Sequence, residues 1–318
     1  MISSKKYNLL GISSYTTYES GEIKECKLNE QNILRVGNQD FIPRYSDPDE
    51  RRKDNKALAF YESGNVKSLA LEERTVVTTS IGSIPVELLT FYEDGAVKSL
   101  FPLNGQIGFG WSEEEEEKLL EEMHFDLPCA NFSTKIIGVR FYNSGALKSI
   151  ILWTGKRIEI DTPIGRYPVR VGFRLYEDGS LESFEPAVPV LINTEIGAIM
   201  AFDQNALGMD ADFNSISFYP DGKLKSLRTN SDIVINQISS AQRTIMYQQL
   251  RLDMLTDEMV KLPVIISFDE DRVEIDNGAE KQVFSILDSK FLFLYDGSYR
   301  ENKCSPGSDC SGCGASCM

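Results

Sequence analysis

The sequence predicts a mainly β protein: an elongated antiparallel sheet of repeated β-hairpins, with helical insertions and a small α+β cap at its C-terminal end. Three observations predict it. A Tyr-x-x-Gly turn recurs six times, strand-forming residues flank each copy, and a second turn motif interleaves with the first.

The six copies align on a glycine: Thr17-Tyr-Glu-Ser-Gly21, Phe60-Tyr-Glu-Ser-Gly64, Phe91-Tyr-Glu-Asp-Gly95, Phe141-Tyr-Asn-Ser-Gly145, Leu175-Tyr-Glu-Asp-Gly179 and Phe218-Tyr-Pro-Asp-Gly222. Two residues after each glycine stands an apolar residue, from Ile23 to Leu224, and lysine follows in five copies (Lys24, Lys67, Lys98, Lys148, Lys225) with Glu182 in the other. Serine comes next in five, from Ser68 to Ser226, with Glu25 as the exception. A Ser/Asp-Gly pair between aromatic and β-branched residues is a short-range hairpin signal. Pro220 selects the turn: proline suits the first central position of a type I turn, with Asp221 next and Gly222 left-handed as a bulge. A two-residue mirror-image turn is the alternative. Tyrosine on one strand and the aliphatic on the other are expected to pair across the hairpin, building an aromatic-aliphatic stripe. The small serine would leave room for a neighbouring ring. The lysine row either adds a basic stripe or forms a solvated outer face.

The second motif reads Thr79-Ser-Ile-Gly82, Thr162-Pro-Ile-Gly165 and Thr194-Glu-Ile-Gly197, with Gln106-Ile-Gly108 as a weaker copy. Each precedes a Tyr-x-x-Gly turn, so one unit holds two turns and three or four strands. Successive hairpin glycines lie 43, 31, 50, 34 and 43 residues apart. Insertions between copies explain that spacing better than a strict solenoid.

The string Phe-Tyr-x-Asp-Gly-x-x-Lys-Ser-Leu, at Phe91–Leu100 and Phe218–Leu227, resembles the hairpin unit of MORN-like repeat proteins, in particular a bacterial variant. The resemblance covers roughly residues 14–230, discontinuously. It implies stacked hairpins used to bind proteins or lipids, and it carries over no catalytic residue. The usual pattern has more glycines and a shorter, steadier period.

Ser112–Met123 reads as a helix inserted near 112–124, with Ser112 as N-cap, Glu115 completing a capping box, and Glu113–Glu117 at the positive end of the dipole. Its acids are expected to form a solvated face, or else a docking patch for a basic partner. His124, at its end, is the only histidine, which removes most His-based catalysis and His-rich metal sites. Ser239–Lys261 is a second helical candidate, with Ile245, Leu252, Leu255 and Met259 near one face and Pro263 after its end. Strands at Val264–Phe268, Arg272–Ile275 and Phe291–Tyr295 complete the expected cap. The organisation is then a repeat array over 1–230, a cap over 231–300 and a flexible tail over 301–318.

That tail carries Cys304, Cys310, Cys313 and Cys317, four of the six cysteines, among small residues that cannot build a core. Four thiolates could hold an iron–sulfur cluster or a zinc ion, although the x5 gap fits less neatly than the x2 and x3 gaps. Cys310-x-x-Cys313 could instead be a redox or sulfur-relay pair, or the tail could have no role. Cys129 reads as a lone buried thiol.

Composition narrows the function. A net charge of −15 argues against nucleic acid as the main partner. No apolar run reaches membrane-span or signal-peptide length, which points to the cytoplasm. No nucleophile–base pair, phosphate loop or carboxylate constellation stands out. The sequence therefore predicts a non-enzymatic scaffold that binds a protein partner on its repeat sheet and carries a metal-binding cysteine tail. Two alternatives stand beside it: a thiol-redox or sulfur-transfer accessory, and a structural module with a dispensable tail.

Overall fold

In the computed structural model, residues 6–52, 56–108, 110–206, 214–253 and 257–295 are described. The six tyrosine turns close six hairpins. Their outer limits are Ile12–Thr17 with Ile23–Leu28, Leu58–Phe60 with Val66–Thr79, and Gly82–Phe91 with Val97–Phe101. Then come Ile136–Phe141 with Leu147–Leu152, Gly165–Leu175 with Leu181–Pro186, and Ile216–Phe218 with Leu224–Thr229. All twelve strands lie side by side, antiparallel and in chain order, in one sheet. Val264–Asp269, Arg272–Asp276 and Lys281–Ser285 continue it, so fifteen strands stand in line and Ile158–Thr162 pairs beside Gly165–Leu175. The long antiparallel hairpin sheet expected from the repeat is present.

Each turn has one construction. The glycine N–H donates to the tyrosine carbonyl at 2.9–3.0 Å, and the tyrosine N–H donates to the residue after the glycine at 2.8 Å. The glycines have φ between +82° and +92°, while neither central residue has a positive φ. A type I turn with a glycine bulge is the hairpin geometry that fits, and mirror-image turns are excluded.

The bulge decides which way each side chain faces. Phe60 pairs with Val66 and Ala59 with Ser68, leaving Lys67 without a partner across the strand. Phe60 and Val66 both enter the core. The tyrosine therefore does not pair with the aliphatic, as plain alternation suggested. It shares the opposite face with the bulged lysine. The phenylalanine or leucine before each later tyrosine, from Phe60 to Phe218, is at most 2% exposed.

The apolar face is covered by a second layer. Threonine turns build much of it. Thr79, Thr162 and Thr194 each donate a hydroxyl bond to the carbonyl of the glycine three residues on (2.7–2.8 Å) and accept from the intervening isoleucine N–H at 3.2–3.3 Å. Val77, Val86, Ile160, Val169, Ile192 and Ile199 from these strands join the same core as the main-sheet phenylalanines. Gln106-Ile-Gly108 lacks the threonine and forms only an isolated bridge between Gly108 and Trp111. Gly165–Leu175 serves both layers by bending at Val171 (φ 63°) and Gly172 (φ 151°). A side chain at 172 would run into the Ile150 carbonyl, so glycine is required there.

Two helical expectations are corrected. The helix after Ser112 forms with its complete capping box but spans only Glu113–Lys118, and Met123–Leu127 is already a strand. Ser239–Lys261 is not helical among its described residues: Arg243–Met246, Leu250–Leu252 and Met259–Lys261 are strands. Leu252 and Met259, two of the residues on the expected helix face, are exposed, so the sparse 3.6-residue pattern marked no buried face. Among its described residues the expected α+β cap contains strands and no helix. Val264–Phe268 and Arg272–Ile275 do form strands, but they extend the main sheet, while Ser289–Tyr295 pairs with Ser231–Gln237 elsewhere.

Candidate functional site

Between hairpins the strand ladder stops one residue short of each phenylalanine or leucine. The Tyr61 hairpin meets its predecessor only through Glu25↔Ala59 and Cys26↔Leu58, which leaves the Phe60 carbonyl outside the ladder. Tyrosine supplies the missing donor. Tyr18 donates to the Phe60 carbonyl, Tyr61 to Phe91, Tyr92 to Phe141, Tyr142 to Leu175, Tyr176 to Phe218 and Tyr219 to Phe268, all at 2.8–2.9 Å. Each phenol thus fastens its hairpin to the next. Burial raises the pKa of Tyr61, Tyr92, Tyr142 and Tyr176, with nearby acids reinforcing the shift at Tyr61 and Tyr92, so the donors keep their protons. The seventh hairpin has Phe268-Asp269-Glu270-Asp271 with no tyrosine, and there the ladder ends.

Above these rings lie the bulge lysines. Lys24, Lys67, Lys98, Lys148 and Lys225 each place an ammonium 5.4–5.9 Å from the centroid of their own hairpin's tyrosine, within cation–π range. Beside them the outer face carries small residues: Ala59, Ser68, Thr90 and Ser99 floor a groove of about 550 Å³ across the first four hairpins. Lys24, Lys67, Lys98, Lys148 and Arg140 line it against a single carboxylate, Glu25. None of those four lysines makes an ion pair with a described residue. At the fifth hairpin Glu182 replaces the lysine and pairs with Arg174 at 2.5 Å. The groove stops where the repeat loses its lysine.

No family model, curated protein or solved structure matches the chain.

Cys304, Cys310, Cys313 and Cys317 lie outside the described residues. Among the described residues no group of three His, Cys, Asp or Glu side chains is arranged to hold a metal ion. Cys26 and Cys129 are buried, and loss of solvent raises both thiols to about 11, which suppresses thiolate chemistry. His124 meets Ser133 across a two-stranded hairpin (3.2 Å) and does not line the groove.

Two buried charge clusters were not legible in the sequence. Arg51 donates to Glu116 at 2.7 and 2.9 Å and to Glu87 at 2.7 Å. Trp111 Nε1 and the Gly105 N–H also donate to Glu116 (2.7 and 2.8 Å), and the Asn104 N–H donates to Glu87 at 2.9 Å. Burial opposes the charge on Arg51, but the bonds to Glu116 and Glu87 outweigh it and raise its pKa. Of the acidic helix, Glu113, Glu114 and Glu115 are solvated as expected, while Glu116 points inward and clips the helix to the sheet. In the second cluster Glu185 is fully buried. Its carboxylate accepts from the Ser215 N–H at 2.8 Å and lies 3.6 Å from Arg170. Desolvation dominates those contacts and raises its pKa to about 7.

Proposed function

We propose that the protein is a non-enzymatic binding scaffold whose groove on the outer sheet face receives a protein partner. The observation that supports it is the row of unpaired ammonium groups over tyrosine rings, in a groove with five cations and one carboxylate, on a chain whose net charge is −15. Such a local reversal of sign steers and orients an anionic partner. The lone imidazole is outside the groove, which favours binding over histidine-dependent chemistry there. No helix among the described residues is long and apolar enough to cross a membrane.

The cysteine tail belongs to the same proposal as a site for zinc or an iron–sulfur cluster, supported by four thiols within 14 residues. A cytoplasmic location fits thiols kept reduced.

Affinity capture with the full chain tests the groove. Lys67→Glu combined with Lys98→Glu should abolish recovery of specific partners, whereas Lys225→Glu, beyond the groove, should leave it intact. Equal recovery by both variants would overturn the assignment. Metal and sulfide analysis of anaerobically purified full chain against a truncation after Arg300 tests the tail. Stoichiometric metal lost on truncation supports it, and metal-free full chain refutes it.

A further inference from the structure

We propose that the groove recognises an acidic segment in extended, polyproline-II-like conformation, with a carboxylate at every third residue. This inference rests on the groove being the protein-binding face and adds the chemistry of the ligand.

The spacing of the lysines carries the argument. Lys24, Lys67, Lys98 and Lys148 occupy the second strands of four consecutive hairpins, so each stands two strands from the next. With strands about 4.8 Å apart, the ammonium groups recur at roughly 9–10 Å. A β-strand presents same-side residues about 6.7 Å apart, which falls out of step after one lysine. A polyproline II helix rises about 3.1 Å per residue with three residues per turn, so every third side chain returns to one face after roughly 9.3 Å. Four lysines match four such turns. The floor suits that guest, because Ala59, Ser68, Thr90 and Ser99 leave space beside half-buried tyrosine rings, and aromatic-lined grooves receive proline-rich segments. Charge fixes the guest as acidic, while exposed Glu62, Glu93 and Asp94 at the turn tips oppose carboxylates beyond the lysine row.

The same ladder defines where recognition ends. Glu182, held by Arg174, would repel a fifth carboxylate. Lys225 resumes the pattern only one hairpin later, too far to continue an unbroken register.

The test is fluorescence anisotropy with the full chain and a labelled peptide of four Glu-Pro-Pro triplets. The control has the same composition with its four glutamates contiguous. The spaced peptide should bind at least about tenfold more tightly, weaken with salt, and lose about tenfold or more in Lys67→Gln/Lys98→Gln but not in Lys225→Gln. Equal binding of the two peptides, still dependent on Lys67 and Lys98, would overturn the third-residue register and leave the groove as the binding face. Parallel titrations use a thymidine oligonucleotide and vesicles containing phosphatidylserine. Lysine-dependent binding of either one in place of the peptides would overturn both this inference and the protein-binding reading. Absence of binding by every probe would overturn the acidic ligand alone, because partner capture by the charge-reversal variants reads the groove independently.

Discussion

Two buried acidic clusters hold the two halves of the molecule in different ways. In the N-terminal half, Arg51 meets Glu87 and Glu116 with three short bonds, and backbone and indole N–H groups engage both carboxylates further. In the C-terminal half, Glu185 is more deeply buried but poorly matched. One oxygen has the Ser215 N–H, while the other lies 3.6 Å from Arg170, whose guanidinium also donates to the Asp203 carbonyl (2.6 Å) and stacks on Phe202. The two clusters therefore differ in how many donors meet each carboxylate, and at Glu185 the few donors leave desolvation to raise its pKa.

The largest effect should come from breaking the well-matched cluster. Arg51→Met leaves buried Glu116 without its cation and Glu87 with only Arg74, 3.8 Å away, and should lower unfolding free energy by about 3 kcal/mol, read by denaturant titration. Adding Glu87→Gln and Glu116→Gln should recover most of that loss. If the single variant loses under about 1 kcal/mol, the cluster is not a tight clip and the contrast collapses.

A smaller, pH-dependent effect sharpens the other side. Glu185 has a folded pKa of about 7 against an ordinary value of 4.5. Between those values the native state binds the extra proton. Its contribution is therefore complete below pH 4.5 and is lost as pH rises through 7. Glu185→Gln should remove this fall, so the variant gains on the natural chain between pH 5 and pH 8 by at most about 3 kcal/mol. Parallel melting curves at several pH values read the difference. A constant gap across that range would show that the carboxyl titrates normally.

The same distinction between local pattern and distant partner explains what the sequence disclosed. The hairpins were legible because turn chemistry is local: Pro220 and Gly222 sit in the geometry their backbone preferences require. The cap at Ser112 was legible for the same reason. The clusters were not, since Arg51 reaches Glu116 across 65 residues of chain. The lysine–tyrosine pairing lay between these cases. A left-handed glycine already implied a bulge, and a bulge turns the next side chains by one position, yet strict alternation placed tyrosine opposite the aliphatic. The second layer was not legible because it depends on where the far ends of long strands such as Val66–Thr79 and Gly82–Phe91 pack, which is a tertiary matter and not a local one.

The tyrosine ladder extends the comparison to polar groups near water, where the smallest effect is expected. Tyr92→Phe removes the only side-chain donor to the Phe141 carbonyl among the described residues, while the ring and its lysine remain. A net hydrogen bond of about 1 kcal/mol, discounted because the ring is half exposed, corresponds to a melting shift of about 2 °C or less. Tyr219→Phe should shift less still. Its ring is 36% exposed, so water can reach the Phe268 carbonyl that it leaves behind. The order of the two shifts is the informative result. If Tyr219→Phe proves the more damaging, the phenol matters because it fastens the last, tyrosine-free hairpin to the array, and end fraying rather than local satisfaction governs the ladder.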